Sequence, residues 1–476
     1  MSKKIIYLLS LLMALSLVFA SCKKNGAGDI SGPGPSDNGT DNSPTTDDGL
    51  APDQGWLDSN SDKPIKNDLI PGFQSVGGQA YFRNPVIVVM GANGSDVVVF
   101  GEKRYKSLGA DNDIGVDGNT AVDIVYISSQ DSGKKWGAAS IVGRQAGQEA
   151  TAENAVASPV VFKVNDSTVV VVASGGVGLS RVSQTYDARG KESKLMYAVG
   201  TYVNGSFQWT KEWTEMTQKV KKAITEASGT FGTAKQFAVH SGKGVVNGTT
   251  LYLAVTVSDQ GNSSTPKEEM GNIMFTGEFS NNDVTWNKVD SSAVKFSASG
   301  NFSQHKESRV IEAAGKTAAQ IQYISVGNPY SSPANNNIGY SSQSGNQPQN
   351  RIAGSEGSPA YLVVKDWRGA TSYNPADYNL ATTGTEQKRL FAHVKSRNST
   401  ITMHALQDAN FTQEGKDYTV IGYPQDTTAL AKSSSMDVLG DGTIIMVAEQ
   451  GGTEKVYNVV FKRFTQKFLA TQLGIN

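Results

Sequence analysis

The chain has 476 residues, and 43 Lys and Arg stand against 44 Asp and Glu. This near-zero net charge gives no reason to expect a nucleic-acid partner. Glycine is abundant at 50 residues while helix-favouring runs of Ala, Leu, Glu and Lys are scarce, so the composition favours many short strands joined by turns.

Residues 1–21 are predicted to be a secretory signal. Lys3 and Lys4 precede an apolar run from Ile5 to Ala20, which ends in small residues and Cys22. The sequence FASC is similar to a bacterial lipoprotein cleavage site, with Phe19 where Leu is preferred. Cys22 is therefore expected to become the lipidated first residue of the mature chain, and a buried core thiol is the alternative. Because it is the single cysteine, no intramolecular disulfide can form.

Residues 22–55 are predicted to be a flexible tether. They are rich in Gly, Pro, Ser, Thr, Asn and Asp and contain almost nothing apolar, so burial cannot offset their ordering entropy. A lipid on Cys22 followed by a tether predicts a folded domain held at the bacterial cell envelope, with the outer surface preferred and the periplasm as the alternative. No later segment has 18 consecutive apolar residues, so only the lipid is expected to enter the bilayer.

From Trp56 onward, strand signals alternate with turn signals, and the turns include NG, ND and DG, which favour hairpins. Five segments read as strand, turn and strand: Pro85–Glu102, Ser158–Ser174, Gly242–Ser258, Val310–Val326 and Met436–Gln450. Degenerate repeats of this kind predict an all-β domain over residues 56–476, built as a β-propeller of about six four-stranded blades. A pair of β-sandwiches is the structural alternative.

Residues Ser128 to Trp136 read SSQDSGKKW and contain the Asp-box pattern SxDxGxxW. We expect Asp131 to accept backbone N–H bonds within a turn, Gly133 to supply a positive φ and Trp136 to pack under the hairpin. The box is thus predicted to be structural and to lie between the outer strands of a blade. Weaker echoes of the pattern occur at Ser280–Trp286, Tyr340–Gly345 and His404–Asn410.

From about Gly78 to Lys467 the chain resembles the bacterial and animal sialidase family. The motifs that carry the resemblance occur in the family's order: YFRNP (Tyr81–Pro85), GEKRYKSLGAD (Gly101–Asp111), KESRVIE (Lys306–Glu312), FAHVKSRNSTITMHALQD (Phe391–Asp408) and LGDGTIIMVAEQG (Leu439–Gly451). Asn84 stands where the first of these motifs has Ile.

The resemblance implies a site for the carboxylate of sialic acid at the propeller mouth. Arginines hold a carboxylate by charge-assisted, bidentate hydrogen bonds. This role falls to Arg83 and Arg397, with Glu449 orienting Arg83 and with Arg104 as a subsidiary substrate contact or a rim charge.

The resemblance also implies the catalytic groups. Asp111 corresponds to the general acid/base, although Asp113 and Asp117 compete in the same loop, which could instead be solvated or bind calcium. Sialidases use a tyrosine nucleophile, and its partner glutamate corresponds to Glu307.

Two departures from the family pattern bear on turnover. Ser433 falls where the nucleophilic tyrosine is expected, and Tyr423 could serve only if the loop is rearranged. No arginine occurs 16 to 19 residues after Glu307, where the family has its middle arginine. Arg309, Arg351 or Arg368 could reach the site from elsewhere.

The expected function is therefore an exo-α-sialidase that releases terminal sialic acids from host glycoconjugates. The alternatives are a degenerate sialidase-like lipoprotein that binds sialylated glycans or host proteins, and an adhesive lipoprotein that merely shares the fold. His240, His305, His393 and His404 are scattered without metal-ligand spacing, and no glycine loop cradles phosphate. Neither a metal nor a cofactor is expected.

Overall fold

A computed structural model of the chain describes residues 66–74, 81–105, 121–145, 147–151, 153–176, 193–227, 236–260, 268–289, 305–312, 322–327, 337–342, 349–353, 359–367, 386–395, 400–407, 413–422, 430–451 and 457–475. The predicted signal segment, Cys22 and the tether lie outside these residues. No helix in the described part of the chain is both long enough and apolar enough to cross a membrane.

The described residues form mostly strands. In chain order the strands are β1 (Lys66–Gln74), β2 (Tyr81–Met90), β3 (Asp96–Arg104), β4 (Val122–Ser129), β5 (Ser140–Ile141), β6 (Val156–Asn165), β7 (Thr168–Gly176), β8 (Ser193–Val203), β9 (Ser206–Glu215), β10 (Gln236–Ala238), β11 (Gly242–Lys243), β12 (Val245–Asn247), β13 (Thr250–Gln260), β14 (Glu268–Ser280), β15 (Asp283–Val289), β16 (His305–Ile311), β17 (Gln322–Gly327), β18 (Asn337–Ser342), β19 (Gln349–Ala353), β20 (Ala360–Trp367), β21 (Glu386–Lys395), β22 (Thr400–Leu406), β23 (Gln413–Gly422), β24 (Leu430–Val438), β25 (Ile444–Gly451) and β26 (Tyr457–Phe464). The helices are α1 (Thr217–Ala227) and α2 (Gln466–Leu473).

These strands form six sheets, numbered here in chain order. Sheet 1 is β2-β3-β4-β5, sheet 2 is β11-β6-β7-β8-β9, sheet 3 is β10-β13-β14-β15 with β12 also on β13, sheet 4 is β16-β17-β18-β19, sheet 5 is β20-β21-β22-β23, and sheet 6 is β24-β25-β26-β1. Neighbouring strands pair antiparallel, apart from the parallel pair of β11 with β6. All five hairpins predicted from the sequence are confirmed as antiparallel pairs.

Sheet 1 is apolar on both faces because its strands are continuous hydrophobic runs. Side chains alternate between the two faces of a strand, so neighbours along β2 enter different cores. Val86 and Val88 pack in a cluster with Val171 of sheet 2. Ile87 and Val89 pack in a second cluster, which contains residues of sheet 6. Sheet 1 is thus held between sheets 2 and 6.

Sheet 6 joins the first described strand to the last three. β1 pairs antiparallel with β26, beginning with Lys66 opposite Arg463. Ile70 and Phe73 of β1 are fully buried, and the Phe73 ring stacks on Phe82 with centroids 5.1 Å apart. Residues widely separated in sequence therefore share one core.

The two helices were not predicted, and both are short elements that cover sheet edges. Val220 and Ala223 of α1 join the core between sheets 2 and 3. In α2, the side chain of Thr465 caps the N-terminus by accepting the Phe468 amide, and Gly474 ends the helix in the left-handed region.

The turn between β4 and β5 has the geometry expected for the Asp box. Asp131 Oδ1 accepts the amides of Lys134 and Lys135 at 3.1 and 2.9 Å, and Gly133 has φ of +87°. Trp136 packs edge-on against Phe461, 5.3 Å away. The expectations for Asp131 and Gly133 are confirmed, whereas Trp136 packs against the neighbouring sheet, so the turn links sheet 1 to sheet 6. Of the echoes, the Ser280–Trp286 turn has two left-handed asparagines, Asn281 and Asn282, and a buried Trp286; the other two extend beyond the described residues.

Candidate functional site

Arg83 and Glu449 meet at the start of β2 and near the end of β25. Arg83 Nε donates to Glu449 Oε1 at 2.9 Å, with side-chain exposures of 10% and 0%. A buried carboxylate on one side of a guanidinium fixes the plane of that group. The pairing of Arg83 with Glu449 that the sequence suggested is thus present as a contact; their roles toward a substrate stay predictions.

Glu102 forms a second buried carboxylate centre, at the end of β3. Arg104 approaches Glu102 Oε2 through Nε at 2.8 Å and through Nη2 at 2.6 Å. The Ser158 amide, from β6, donates to Glu102 Oε1 at 2.8 Å. Burial would raise the pKa of Glu102, but the charge of Arg104 and the hydrogen bonds from Asn84 and Ser158 together hold the pKa below its usual value. Glu102 is thus an ionised anchor that orients Arg104.

Asn84 lies between the two carboxylate centres. Its backbone is left-handed, with φ of +53°, which Asn tolerates better than most residues. Its amide nitrogen Nδ2 donates to Glu102 Oε1 at 2.8 Å, and its backbone N–H donates to Glu449 Oε1. Its Oδ1 accepts the hydroxyl proton of Ser433 at 2.9 Å. The Ser433 amide in turn donates to Glu449 Oε2 at 3.2 Å. Residues from β2, β3, β24 and β25 are thereby tied into one network.

The segment between β3 and β4, which carries Asp111, Asp113 and Asp117, begins and ends beside Arg104. The Tyr105 amide donates to the Ala121 carbonyl at 3.1 Å, and the Tyr105 hydroxyl donates to Asp123 Oδ2 at 2.9 Å. Burial, followed by the charge and the hydrogen bond of Asp123, raises the pKa of Tyr105 above its usual value. Tyr105 is therefore a neutral hydrogen-bond donor at physiological pH. Arg144 completes the cluster through an ion pair with Asp123 at 2.8 Å.

A cavity of about 400 Å³ lies between the first strands of sheets 4, 5 and 6 and the segment that starts at β11. Its wall includes Arg309, whose Nε donates to the Ser241 carbonyl at 2.6 Å, and Ser434, which follows Ser433. Gly242, against which the Arg309 chain packs, pairs with Val160.

The remaining predicted residues are described in part or not at all. Glu307 is in β16, where its backbone is opposite Val326, but its side chain is outside the described set. Several other candidates lie outside the described residues altogether: Cys22, Asp111, Arg368, Arg397 and Tyr423. Arg351 is described only as backbone in β19.

Two histidines that are apart in sequence meet between β21 and β22. The Nε2 atoms of His393 and His404 are 2.8 Å apart, and both side chains are buried. His404 Nδ1 is 3.0 Å from Asp417 Oδ1. Among the residues whose positions are described, no group of three or more His, Cys, Asp or Glu side chains could hold a metal ion.

Sequence reasoning did not identify Glu102, Asn84 or Asp123 as part of the site. Glu102 is a charged residue within the strand DVVVFGEKR, and Asp123 follows Val122 at the start of the apolar run VDIVYI. An ionisable residue inside a strand that is buried on both faces needs a charged or hydrogen-bonding partner. The charged Glu102 and Asp123 within apolar segments were therefore the signal in the sequence for a buried polar cluster.

The fold is shared with solved sialidase structures. The chain matches a Hadza microbial sialidase with a TM-score of 0.53 at 15% identity, covering 83% of this chain and 68% of that one. It matches an intramolecular trans-sialidase from Ruminococcus gnavus with a TM-score of 0.51 at 10% identity, covering 87% and 99%. A protein of unknown function from Dyadobacter fermentans gives 0.55 at 11%, covering 84% and 98%. No protein-family model and no curated protein sequence matches the chain. At these identities the likeness establishes a sialidase-like fold.

Proposed function

We propose that the protein binds the carboxylate of a terminal sialic acid at the Arg83 site and releases the sugar from host glycoconjugates as an exo-α-sialidase. The observation that carries the proposal is the buried Arg83–Glu449 contact, beside a second arginine, Arg104, oriented by buried Glu102. Two fixed guanidinium groups suit an acidic sugar better than a neutral one.

The order of strands supports a role for the residues beyond this network. In sheets 1, 4, 5 and 6 as given above, the first two strands are antiparallel, so the first strand begins at the end of the sheet where the second strand finishes. Arg83 and Glu307 lie near the starts of first strands, and Glu449 lies near the end of a second strand. Asp111 falls in the connection after β3 and Arg397 in the connection after β21, and both connections begin at that same end of their sheets. Asp111 as acid/base, Glu307 as the partner of a nucleophile, and Arg397 as a second carboxylate ligand are consistent with this order.

We further propose that the six sheets are the blades of a closed six-bladed propeller. The pairing of β1 with β26 supports closure, because the first strand completes the last sheet. Contacts between successive sheets support it as well, including Glu102 with Ser158 and Lys365 with Glu312. A lipid on Cys22, with residues 23–55 as the tether, would hold this domain at the outer surface of the cell envelope.

Recognition without turnover is the second candidate, and Ser433 favours it. Ser433 stands at the sequence position where the family has its nucleophilic tyrosine; it is 1% exposed, and its hydroxyl donates to an amide oxygen. An amide oxygen is not a base that could remove the proton, so this contact does not activate Ser433 as a nucleophile. Turnover would then require Tyr423, which follows the last residue of β23 in the β23–β24 connection.

Two assays on the full-length protein in detergent test the proposal. Binding of sialyllactose is compared with binding of lactose, which lacks the acidic sugar, and release of a fluorophore from a sialoside reports turnover. We expect sialyllactose to bind and Arg83→Met to weaken it by roughly 10- to 100-fold, as for a lost hydrogen bond to a charged group. Equal affinity for lactose and sialyllactose would overturn the proposed function. Binding without turnover would select the second candidate, and loss of turnover in Tyr423→Phe would select the first.

A further inference from the structure

We propose that Asn84 is a positioning residue that couples the two arginines of the site, Arg83 and Arg104, through their buried carboxylate partners. This inference deepens the proposed function, on which its binding readout rests. It starts from the contacts of one side chain, which stands where the sialidase motif has an apolar residue.

The contacts fix the orientation of the Asn84 amide. A carboxylate oxygen only accepts hydrogen bonds, so the group that faces Glu102 Oε1 at 2.8 Å must be the NH₂. The carbonyl oxygen of the amide then faces Ser433, whose hydroxyl donates to it at 2.9 Å. The backbone N–H of Asn84 meanwhile donates to Glu449. One residue therefore contacts the carboxylates that hold Arg83 and Arg104.

Asn84 and Ser433 depend on each other. An apolar residue at position 84 would leave the Ser433 hydroxyl without this acceptor, and a residue without a hydroxyl at position 433 would leave the amide oxygen without this donor. The two departures from the sialidase motifs are thus one structural unit. The Asn84–Ser433 pair holds the Arg83 and Arg104 guanidinium groups at a fixed separation. A ligand carboxylate, or the hydroxyls beside it, would contact these two groups.

Charged groups surround Asn84, so a substitution that adds a charge at this position tests the role of its amide. Glu102 and Arg104 face it from β3, Glu449 from β25, and Arg83 from its own strand. Asn84→Asp keeps the shape and tolerates the left-handed backbone, but it adds a carboxylate next to Glu102. When protonated, that carboxyl group would donate to Glu102 and accept from Ser433, as the amide does. Asn84→Gly keeps the backbone and its N–H but removes the amide.

The experiment measures sialyllactose affinity of the full-length protein from pH 8 to pH 5 for the wild type and for both variants. Asn84→Asp should bind at least tenfold more weakly than wild type at pH 8 and should recover to within threefold at pH 5. Asn84→Gly should stay weakened at every pH. Affinity of both variants within twofold of wild type throughout would overturn the coupling.

A second measurement does not depend on the ligand. The protection from solvent exchange of the Arg83 and Arg104 Nε–H signals is followed by NMR, with signals assigned by single Arg→Lys variants. Asn84→Gly should lower the protection of both arginines at least tenfold, whereas Glu312→Gln should leave both unchanged. Unchanged protection in Asn84→Gly would overturn the inference even if sialyllactose binds. If wild type fails to bind sialyllactose while Asn84→Gly lowers the protection, the proposed function fails and the coupling stands.

Discussion

Glu449 accepts a hydrogen bond from Arg83 Nε at 2.9 Å across 366 residues of sequence. Both side chains are nearly removed from solvent, and Glu449 also accepts the Asn84 and Ser433 amides. A charge that is buried among three donors is held in one geometry, and its removal takes away the buried carboxylate that Arg83 contacts.

We expect Glu449→Gln to lower the free energy of unfolding by about 3 kcal/mol, the scale for breaking a buried ion pair from one side. The affinity for sialyllactose should also fall, because Arg83 loses the group that orients it. Urea unfolding and calorimetry measure the two effects. The matched control is Glu312→Gln, which breaks the exposed Lys365–Glu312 pair at 3.6 Å and should cost about 0–1 kcal/mol. Equal losses in the two variants would contradict the buried role of Glu449.

Glu102 should make the fold sensitive to acid. Its pKa is held below the ordinary value of 4.5 in the folded protein, so the ionised form is favoured by folding. This contribution is complete above the unfolded pKa and is lost as the pH falls through the folded pKa. We expect Glu102→Gln to be less stable than wild type at pH 7, by about 3 kcal/mol, and the difference to shrink as the pH falls below 4.5. A difference that grows on acidification would refute the assignment; urea unfolding at a series of pH values measures it.

The sequence predicted the strands better than it predicted the site. Alternating and continuous apolar runs, such as PVIVVM before the ANG turn, are local signals, and the hairpins they predicted are all present. The Asp-box turn was equally predictable, because its bonds link residues within a few positions of each other. Helix α1 was missed although the sequence carried a signal for it: TQKVKKAITEA is rich in helix-favouring Lys, Gln, Ala and Glu, and Val220 and Ala223 are spaced to share the buried face.

The network around Asn84 was not predictable from local pattern. Asn84 Oδ1 and Ser433 are 349 residues apart, and nothing in either neighbourhood indicates the other. The sequence suggested Arg83 with Glu449 only through a family resemblance, and it treated Asn84 and Ser433 as separate departures. The contact between His393 and His404 was likewise missed, because it joins diagonal positions on β21 and β22 that depend on strand register.

Gly133 in the Asp-box turn should not tolerate a side chain. Its φ is +87°, and a Cβ there would overlap the buried Phe461 ring of sheet 6. Gly133→Ala should lose about 1 kcal/mol from backbone strain and a further 1–3 kcal/mol from the clash. The control is Gly248→Ala, with φ of +62° and no atom within 4 Å, which should show the strain alone. Thermal unfolding compares them, and equal shifts would mean that the turn does not pack on sheet 6 as described.

The first strand should be required for the stability of the whole domain. Phe73 of β1 is fully buried, stacks on Phe82 next to Arg83, and approaches Gly101 so closely that a Cβ there would be 2.7 Å from its ring. Phe73→Ala should therefore cost about 3–5 kcal/mol, the range for deleting a buried aromatic ring. Val203→Ala, at a site 42% exposed, should change stability by about 0.5 kcal/mol or less.

The shape of the unfolding transition is the stronger test of whether β1 unfolds together with the rest of the domain. If β1 and β26 belong to one cooperative unit with sheet 1, urea unfolding of Phe73→Ala should remain a single transition with a lowered midpoint. Its affinity for sialyllactose should also fall, because the Phe82 side chain loses its support beside Arg83. A midpoint equal to that of wild type, or an early separate transition that leaves ligand affinity intact, would mean that β1 adds to the domain without holding the site.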